Sequence, residues 1–224
     1  MPRVAIMSDF PNCAASIVFP DTNNFYERAA KYLVSRGRRR VAILMAGPYA
    51  EERKLSQIRR HGLQMSEPYL LQIASAEVPE GARHCTQLLM NLPPDKRPDA
   101  LILDDDNFVE AATAGIAAAG VRCPDDLEIV AHANFPLPPE TAVPVKFLGF
   151  DCAAILKRCA ESIDQQRRGI TDHIPHPIPA VFEDEIQGST PGIGITRSAP
   201  SSPGMSRNAS SRFRTGAGEA SSEC

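Results

Sequence analysis

The stretch RPDALILDDDNFVEAATAGIAAAGVRCPDDLEIVAHAN, residues 97–134, decides the fold class. It opens with a short, continuous apolar run at residues 100–103, which is typical of a parallel strand covered on both faces. Apolar residues then recur at helical spacing, and Gly120 stands where helices commonly end. A second apolar run begins at Leu127. Strand, helix and strand in this order predict a right-handed βαβ unit in an α/β protein, with a parallel sheet and flanking helices.

Polar side chains follow both strands of this unit. Asp104, Asp105 and Asp106 come directly after the first strand, and His132 and Asn134 follow the second. The carboxyl ends of parallel strands meet at one edge of a sheet, where open α/β sheets bind their ligands. We therefore expect Asp105, His132 and Asn134 to line one side of a cleft. For His132, a loop histidine that is hydrogen-bonded to backbone is an equally strong alternative.

The acidic triplet itself admits three interpretations. Carboxylates after a parallel strand bind Mg²⁺ or accept a phosphoryl group in receiver-type and phosphoryl-transfer proteins. Such proteins need further carboxylates and a lysine at neighbouring strand ends, whereas those ends here read Ala46-Gly47 and Ala131-His132. In the second interpretation the acids cap the following helix and favour its positive end. In the third, one of them hydrogen-bonds a polar ligand such as a sugar hydroxyl. The sequence favours capping with ligand contact over catalysis.

Composition limits the remaining possibilities. The chain has 224 residues, 43% hydrophobic and 23% charged, so most of it is expected to be globular. A net charge of -3 gives no overall case for nucleic-acid binding, and the run Arg38-Arg39-Arg40 is better explained as cations at a helix end. Six scattered cysteines predict free thiols in a reducing cytosol, and no apolar stretch is long enough to span a bilayer.

The sequence also lacks the common signatures of catalysis. It contains no GxGxxG, P-loop, GxSxG or HExxH motif. His173 and His176 have no cysteine at ligand spacing, so no zinc site is predicted. We therefore expect no enzyme, no cofactor and no metal, and no residue is assigned a catalytic role.

Apolar segments and turn residues alternate on both sides of the central unit. Further strands are predicted at residues 3–7, 16–19, 41–45, 68–74, 145–148 and 178–182. Further helices are predicted at about residues 25–36, 51–65, 80–92 and 152–168. The proline-rich run 132–139 is predicted to be irregular. Residues 187–224 are rich in Ser, Gly, Pro, Ala and Arg and predict a disordered tail, because such a segment buries too little surface to offset its ordering entropy.

Taken in order, these segments resemble a known family. A capped helix ends at Gly37 and leads into GRRRVAIL, and the next helix carries Arg59 three residues before Gly62. The motifs RPDALILDDDN, AGVRCPDDLEIVAH and PVKFLGFD follow. This order and spacing is similar to the effector-binding part of LacI/GalR-type transcription regulators, which share the type I periplasmic-binding-protein fold. The likeness runs over residues 4–182. Each motif alone is modest, and their order and spacing together carry the resemblance.

The resemblance implies a set of effector-contacting residues. Asp21 matches the acid that follows a short strand and begins a helix, Arg59 matches the effector-binding arginine, and Asp105 with Asp106 matches an Asn-Asp pair. The chain departs from the family at the next strand end, where Gly-Phe-Asp is common. Here the sequence reads Ala131-His132-Ala133-Asn134, so Ala133 replaces the expected acid and Asn134 is its substitute. The predicted effector site is Asp21, Arg59, Asp105, His132 and Asn134.

The resemblance also implies an arrangement in two lobes. Family members close two lobes on the effector, and the chain crosses between the lobes three times. Mapped here, residues 1–36 and 142–170 form a partial N-terminal lobe, and residues 37–141 and 171–186 form a nearly complete C-terminal lobe. The family's helix-turn-helix headpiece, hinge helix and first βαβαβ stretch have no counterpart in the sequence. We therefore expect a truncated regulator whose first sheet has an unpaired edge, and which alone aggregates, dimerises or is partly molten in that lobe.

The function implied is that of a cytoplasmic sensor domain. It would bind a small polar effector such as a sugar, form a homodimer, and reach DNA only through a headpiece absent from the chain, without touching a membrane. The alternative is a Mg²⁺-dependent phosphoryl-transfer or receiver-type protein that uses Asp104, Asp105 and Asp106. A solute-binding protein is a third hypothesis, against which the lack of a secretion signal counts.

Overall fold

A computed structural model of the chain describes residues 1–6, 16–46, 52–65, 71–74, 77–170 and 174–186. Within these ranges, nine strands form one sheet of six strands and one of three. The α/β class and the parallel sheet with flanking helices are confirmed. The predicted disordered tail, residues 187–224, lies outside the described residues. No helix in the described ranges has the length and apolar character needed to cross a membrane.

The elements alternate along the chain as the apolar pattern predicts. The strands are β1 (Val4–Ile6), β2 (Ser16–Pro20), β3 (Val41–Ala46), β4 (Leu71–Ala74), β5 (Ala100–Leu103), β6 (Glu128–Phe135), β7 (Lys146–Asp151), β8 (His176–Ile178) and β9 (Val181–Phe182). The helices are α1 (Thr22–Ser35), α2 (Glu52–Arg60), α3 (Glu80–Met90), α4 (Val109–Ala118), α5 (Cys152–Arg167) and α6 (Glu183–Ile186). A 3₁₀ turn at Asp106–Phe108 precedes α4.

The large sheet has the strand order β4-β3-β5-β6-β7-β9, and its strands are parallel except for β9. Alternate residues of each strand serve opposite faces. In β3, for example, Val41 and Ile43 join one hydrophobic cluster and Ala42 and Leu44 join the other. Helices α1 and α2 cover the first face, while α3 and α4 cover the second. Cover on both faces explains why the central strands are continuously apolar.

The small sheet has the strand order β1-β2-β8 and is parallel throughout. Helix α5 packs on β1 and β2. Gln166 near the end of α5 fixes this packing, because its amide nitrogen donates to Ser16 Oγ at 2.9 Å and to the Arg3 carbonyl at 3.0 Å. Its amide oxygen accepts from the Arg3 N–H at 2.8 Å. A single side chain thus joins β2, and the residue just before β1, to the covering helix.

The chain passes between the two sheets three times. β2 of the small sheet leads into α1 of the large sheet at Asp21, and β7 of the large sheet leads into α5 at Asp151. Each aspartate caps the helix that follows: Asp21 accepts from Asn24 N at 3.0 Å and Asp151 from Ala153 N at 2.9 Å. The third crossover joins β8 to β9 through Ala180, which is fully buried.

Glu128 is a buried carboxylate at the amino edge of the large sheet, with its side chain 5% exposed. Tyr32 Oη donates to it at 2.8 Å, and the guanidinium groups of Arg36 and Arg38 lie 3.3 Å and 3.7 Å from its other oxygen. Burial, followed by the hydrogen bond to Glu128, raises the pKa of Tyr32 to about 12. Arg38 is therefore an internal partner of β6, rather than a solvated cation at a helix end.

Two elements end at different residues from those predicted. The run 132–139 was predicted to be irregular, but its first four residues continue β6 to Phe135 and pair with β7. The prolines at 136, 138 and 139 lie beyond this pairing, so they end the strand without disrupting it. Helix α2 stops at Arg60 rather than near residue 65, because Gly62 adopts a φ of 82° that terminates helices.

The sheets also divide the chain differently from the predicted lobes. The single strand predicted at 178–182 is two strands, β8 and β9, which Pro179 helps to separate. β7 lies within the range 142–170 assigned to the N-terminal lobe, but it pairs with β6 in the large sheet. β8 lies within the range 171–186 assigned to the C-terminal lobe, but it pairs with β2 in the small sheet. The division therefore follows the crossovers at Asp151 and Ala180, not residues 142 and 171.

Candidate functional site

The first two of the three consecutive aspartates after β5 bond residues outside β6. Asp104 Oδ2 accepts a hydrogen bond from Tyr26 Oη at 2.8 Å. Asp105 caps the 3₁₀ turn, because its Oδ1 accepts from the backbone N of Asn107 at 2.9 Å and from Asn107 Nδ2 at 2.7 Å. The capping role expected of the acidic triplet is thus met by Asp105. In the described part of the chain, no group of three or more His, Cys, Asp or Glu side chains is arranged to hold a metal ion.

The third aspartate, Asp106, meets two side chains from β6. Asn134 Nδ2 donates to Asp106 Oδ2 at 2.8 Å, and His132 Nδ1 lies 4.0 Å from Asp106 Oδ1. Residues two apart in a strand point to the same face, so β6 brings His132 and Asn134 together. The His132 ring lies between Phe25 and Phe150, with ring centroids 5.7 Å and 5.6 Å away. We call Asp104, Asp105, Asp106, His132 and Asn134 the strand-end cluster.

His132 is the least satisfied member of this cluster. Its side chain is 14% exposed, and its Nδ1 is buried with no hydrogen-bond partner among the described residues. Burial lowers the pKa of His132 below its ordinary 6.5, although the carboxylates of Asp106 and Asp105 act in the opposite direction. The imidazole is therefore mainly neutral at pH 7. The alternative expectation, a loop histidine bonded to backbone, is wrong because His132 lies within β6.

Asp21 and Arg59 stand differently with respect to the cluster. Asp21 caps α1, the helix that also carries Phe25 and Tyr26 into contact with the cluster. Arg59 lies in the last turn of α2, where its half-exposed guanidinium forms an ion pair with Glu52 of the same helix. Across the described ranges the structure records no contact between Arg59 and the cluster. The structure therefore places His132 and Asn134 together at Asp106, next to Asp105. The role of Arg59 in effector binding stays a prediction.

A hollow adjoins the cluster on the side of Asp105. It has a volume of about 530 Å³ and lies between α3 and α4. Asn107, which bonds Asp105, forms part of its wall, together with Glu80, Arg83 and Glu110. None of the five predicted effector residues lines this hollow.

Sequence reasoning did not assign Phe25, Tyr26 and Phe150 to the site. Phe25 fits the apolar stripe of a helix, a pattern that by itself indicates only core packing. Tyr26 is 1% exposed, and a buried tyrosine hydroxyl usually finds a partner. That rule indicates that Tyr26 has a partner, but its carboxylate is 78 residues away in the chain, so no local pattern identifies it.

Residues 30–178 match the family model of the periplasmic binding protein-like domain. The chain belongs to this family. The match includes β3 to β7 of the large sheet, the three aspartates after β5 and the cluster residues of β6. Its boundaries lie inside α1 and at the end of β8, so Asp21 and Tyr26 precede the matched range. No curated protein matches the sequence significantly.

Several solved structures with the same fold are LacI-family regulators. One is a regulatory protein of the LacI family from Chloroflexus aggregans, with a TM-score of 0.68, 23% identity, and coverage of 81% of this chain and 66% of that one. A regulator from Lactobacillus casei with bound sucrose has a TM-score of 0.65, 18% identity, and coverage of 80% and 68%. The same organism's LacI regulator with bound Tris has a TM-score of 0.64, 19% identity, and coverage of 80% and 66%.

These likenesses establish a shared fold and domain family. They confirm the resemblance drawn from the sequence and the periplasmic-binding-protein-like fold class. The chain spans about two thirds of the length of the solved proteins that it matches, 66% for the Chloroflexus aggregans regulator.

Proposed function

We propose that this chain is the ligand-sensing part of a LacI/GalR-like transcription regulator, with the strand-end cluster in its effector site. One observation carries the proposal. In a periplasmic binding protein-like domain, His132, Asn134 and Asp106 converge at the carboxyl edge of the large sheet. This edge is where open parallel sheets bind ligands.

The chemistry of the cluster favours a small polyhydroxylated effector. Carboxylates and the Asn134 amide supply acceptors and donors for hydroxyl groups, while Phe25 and Phe150 supply apolar ring surface around His132. Small-molecule sites commonly combine a few placed polar groups with aromatic lining. The Lactobacillus casei regulators of this fold carry sucrose, glucose or Tris. Asp21 and Arg59 complete the effector site in this proposal.

The proposed role is sensing rather than catalysis. The solved neighbours are transcription regulators, and each of the three aspartates has its own hydrogen-bond or ionic partner in the protein. A homodimer working in the cytoplasm, with DNA contact through a headpiece outside these residues, completes the proposal. The homodimer, the cytoplasmic location and the headpiece are assigned by analogy with LacI/GalR-type regulators.

Titration calorimetry with a panel of mono- and disaccharides, including glucose and sucrose, tests the effector site. We expect one member of the panel to bind, and Asn134→Ala to weaken that binding by about tenfold, since a site built to hydrogen-bond a hydroxyl loses at least one paired contact. Arg59→Gln is expected to weaken it as well. The matched control is Asn91→Ala, which removes an exposed amide at the end of α3. Equal affinities of the Asn134 and Asn91 variants for the bound sugar would contradict the proposed site.

A second titration separates the phosphoryl-transfer alternative. Millimolar Mg²⁺ with beryllofluoride, a phosphoryl mimic, should leave the amide signals of Asp105 and its neighbours unchanged if the cluster is a sensor site. Specific shifts confined to that region would instead favour receiver-type chemistry.

A further inference from the structure

The first two turns of α1 contact the strand-end cluster directly. Tyr26 is 1% exposed, and its hydroxyl donates to Asp104 at 2.8 Å, so this charge-assisted bond is partly buried. The Phe25 ring packs against the His132 ring, with centroids 5.7 Å apart. Both side chains belong to the helix turn that follows the first crossover. A displacement of Asp104 or His132 therefore changes the contacts of α1.

The same two turns hold the third crossover. Asn24 Oδ1 accepts a hydrogen bond from the Ala180 N–H at 3.0 Å, and Arg28 Nη1 donates to the Ala180 carbonyl at 2.9 Å. Both backbone polar groups of a fully buried residue are thus satisfied by side chains one helical turn apart. At the start of α1, the Asp21 N–H donates to the Ile178 carbonyl at 2.8 Å. The first and third crossovers are joined through this helix.

We call residues 179–186 the strap. Beyond Ala180, many of its contacts are made by charged side chains. Arg28 also bonds Glu185 and lies over the Phe182 ring at 4.9 Å. Lys146 of β7 contacts Asp184 at 2.9 Å. The β9 strand pairs with β7 at only two positions, and α6 buries no residue. Phe182 also lies 5.6 Å from the Tyr32 ring of α1, and Lys146 contacts Glu183 at 3.4 Å. Because Arg28 and Tyr32 both belong to α1, the local stability of the strap depends in large part on its contacts with this helix.

We propose that α1 couples the strand-end cluster to the strap, with Asn24 and Arg28 as positioning residues for the third crossover. This inference rests on the proposed function in taking the cluster as the effector site. In the first two turns of α1, Asn24 and Arg28 share one face, while Phe25 and Tyr26 are both buried. A small rotation or shift of the helix that accommodates an effector at the cluster therefore alters both hydrogen bonds to Ala180. Binding of the effector therefore changes the local stability of the strap.

Hydrogen exchange in the full chain tests this coupling without any ligand. Tyr26→Phe removes the hydroxyl that bonds Asp104 and keeps the ring. We expect amide exchange in peptides spanning residues 174–186 to accelerate about fivefold, the change expected for weakening one hydrogen bond. Three prolines in that segment, at 175, 177 and 179, leave the Ala180, Val181 and Phe182 amides as much of the signal.

The matched control is Tyr32→Phe on the same helix. It removes a hydroxyl that also donates to a carboxylate at 2.8 Å, but at the opposite edge of the sheet, and it keeps the ring that lies 5.6 Å from Phe182 of the strap. Exchange in the strap should stay at the wild-type rate in this variant. An unchanged rate in Tyr26→Phe, or an equal rise in Tyr32→Phe, would overturn the coupling. If Tyr26→Phe does not fold, His132→Leu serves as the cluster-side variant, with the same expectation.

Two further measurements separate this inference from the proposed function. Asn24→Ala should accelerate strap exchange directly, and Asn24→Asp, which keeps the acceptor oxygen, should restore most of the protection. Sucrose is then added as a probe. If calorimetry detects sucrose at the cluster and strap exchange does not change, the coupling is refuted while the sensor function stands. If Tyr26→Phe alters the strap and no sugar binds, the coupling stands and the proposed effector class fails.

Discussion

Replacing Gly149 with alanine is expected to damage the large sheet beside the strand-end cluster. Gly149 in β7 lies opposite Ala133 in β6, between the pairs His132–Leu148 and Asn134–Phe150. A Cβ built on Gly149 would lie 1.8 Å from the Ala133 carbonyl oxygen, whereas real Cβ contacts essentially never fall below 3.0 Å. The obstacle is backbone, so no side-chain rotation relieves it. β7 must therefore move away from β6 at the residues that position His132 and Asn134.

The expected loss in the free energy of unfolding has two contributions. Overpacking in a close-packed interior costs about 1–3 kcal/mol. Two ladder hydrogen bonds that flank Ala133 lengthen as the strands separate, at about 1 kcal/mol each. The expected loss is about 3–5 kcal/mol, which is a large part of the roughly 5–15 kcal/mol that stabilises a typical domain.

Urea unfolding followed by circular dichroism measures this loss. The matched control is Gly81→Ala in the first turn of α3, where an added Cβ meets nothing within 4 Å. That control should gain about 0.5–1 kcal/mol, because alanine restricts the unfolded chain and favours the helix. A Gly149→Ala protein within 0.5 kcal/mol of wild type would refute the close approach of β6 and β7 and the reasoning built on it.

Three further outcomes are expected. Gly115→Ala should lose about 1–3 kcal/mol in the same urea assay, because its Cβ would lie 2.2 Å from Thr86 Oγ1 at the α3–α4 contact; a midpoint equal to wild type would contradict that contact. Since the folded-state pKa of His132 is lowered, stability should fall as pH drops below 6.5, where the unfolded chain binds the proton first, and His132→Phe should flatten this part of the profile. With its pKa raised to about 12, Tyr32 should ionise well above the ordinary tyrosine value of 10 in an ultraviolet titration, and the stability it contributes with Glu128 should be lost as pH rises from 10 through 12. A Tyr32→Phe protein that keeps the late phase of the wild type would disprove this.

The central unit of the fold could be predicted from the sequence because its signals agree. Four apolar residues between Pro98 and the acidic triplet have one plausible assignment, and β5 spans the predicted residues 100–103. Gly120 adopts the positive φ of 68° expected after a helix. Local propensity, hydrophobic period and turn residues all point to the same structure there.

The crossovers were harder to predict because they depend on pairing between distant segments. The proline-rich run after Ala131 indicated a loop, whereas its first residues are held in β6 by pairing with β7. Nothing local separates β8 from β9 except one proline, yet they belong to different sheets. The placement of a strand in one sheet or the other is decided by tertiary contacts, which a single sequence does not contain.

The candidate site was predicted in part for the same reason. Asp105 follows β5, and His132 and Asn134 lie near the carboxyl end of the neighbouring parallel strand β6, and strand ends of that kind share an edge. Tyr26 contacts this edge from a helix far away in the chain, so spacing gives no indication of it. The role of Arg59 in effector binding stays a prediction.

The pairing of β8 with β2 has a consequence for the order in which the protein is built. β1 and β2 are synthesised long before their sheet partner β8, which is residues 176–178. The central strands β3, β5 and β6 can associate once residue 135 has left the ribosome, because all of them lie upstream. The small sheet must wait for about forty further residues. Its earliest strands thus remain without their last neighbour through most of translation, and a nascent chain stalled before residue 176 would be the form most exposed to aggregation and to chaperones.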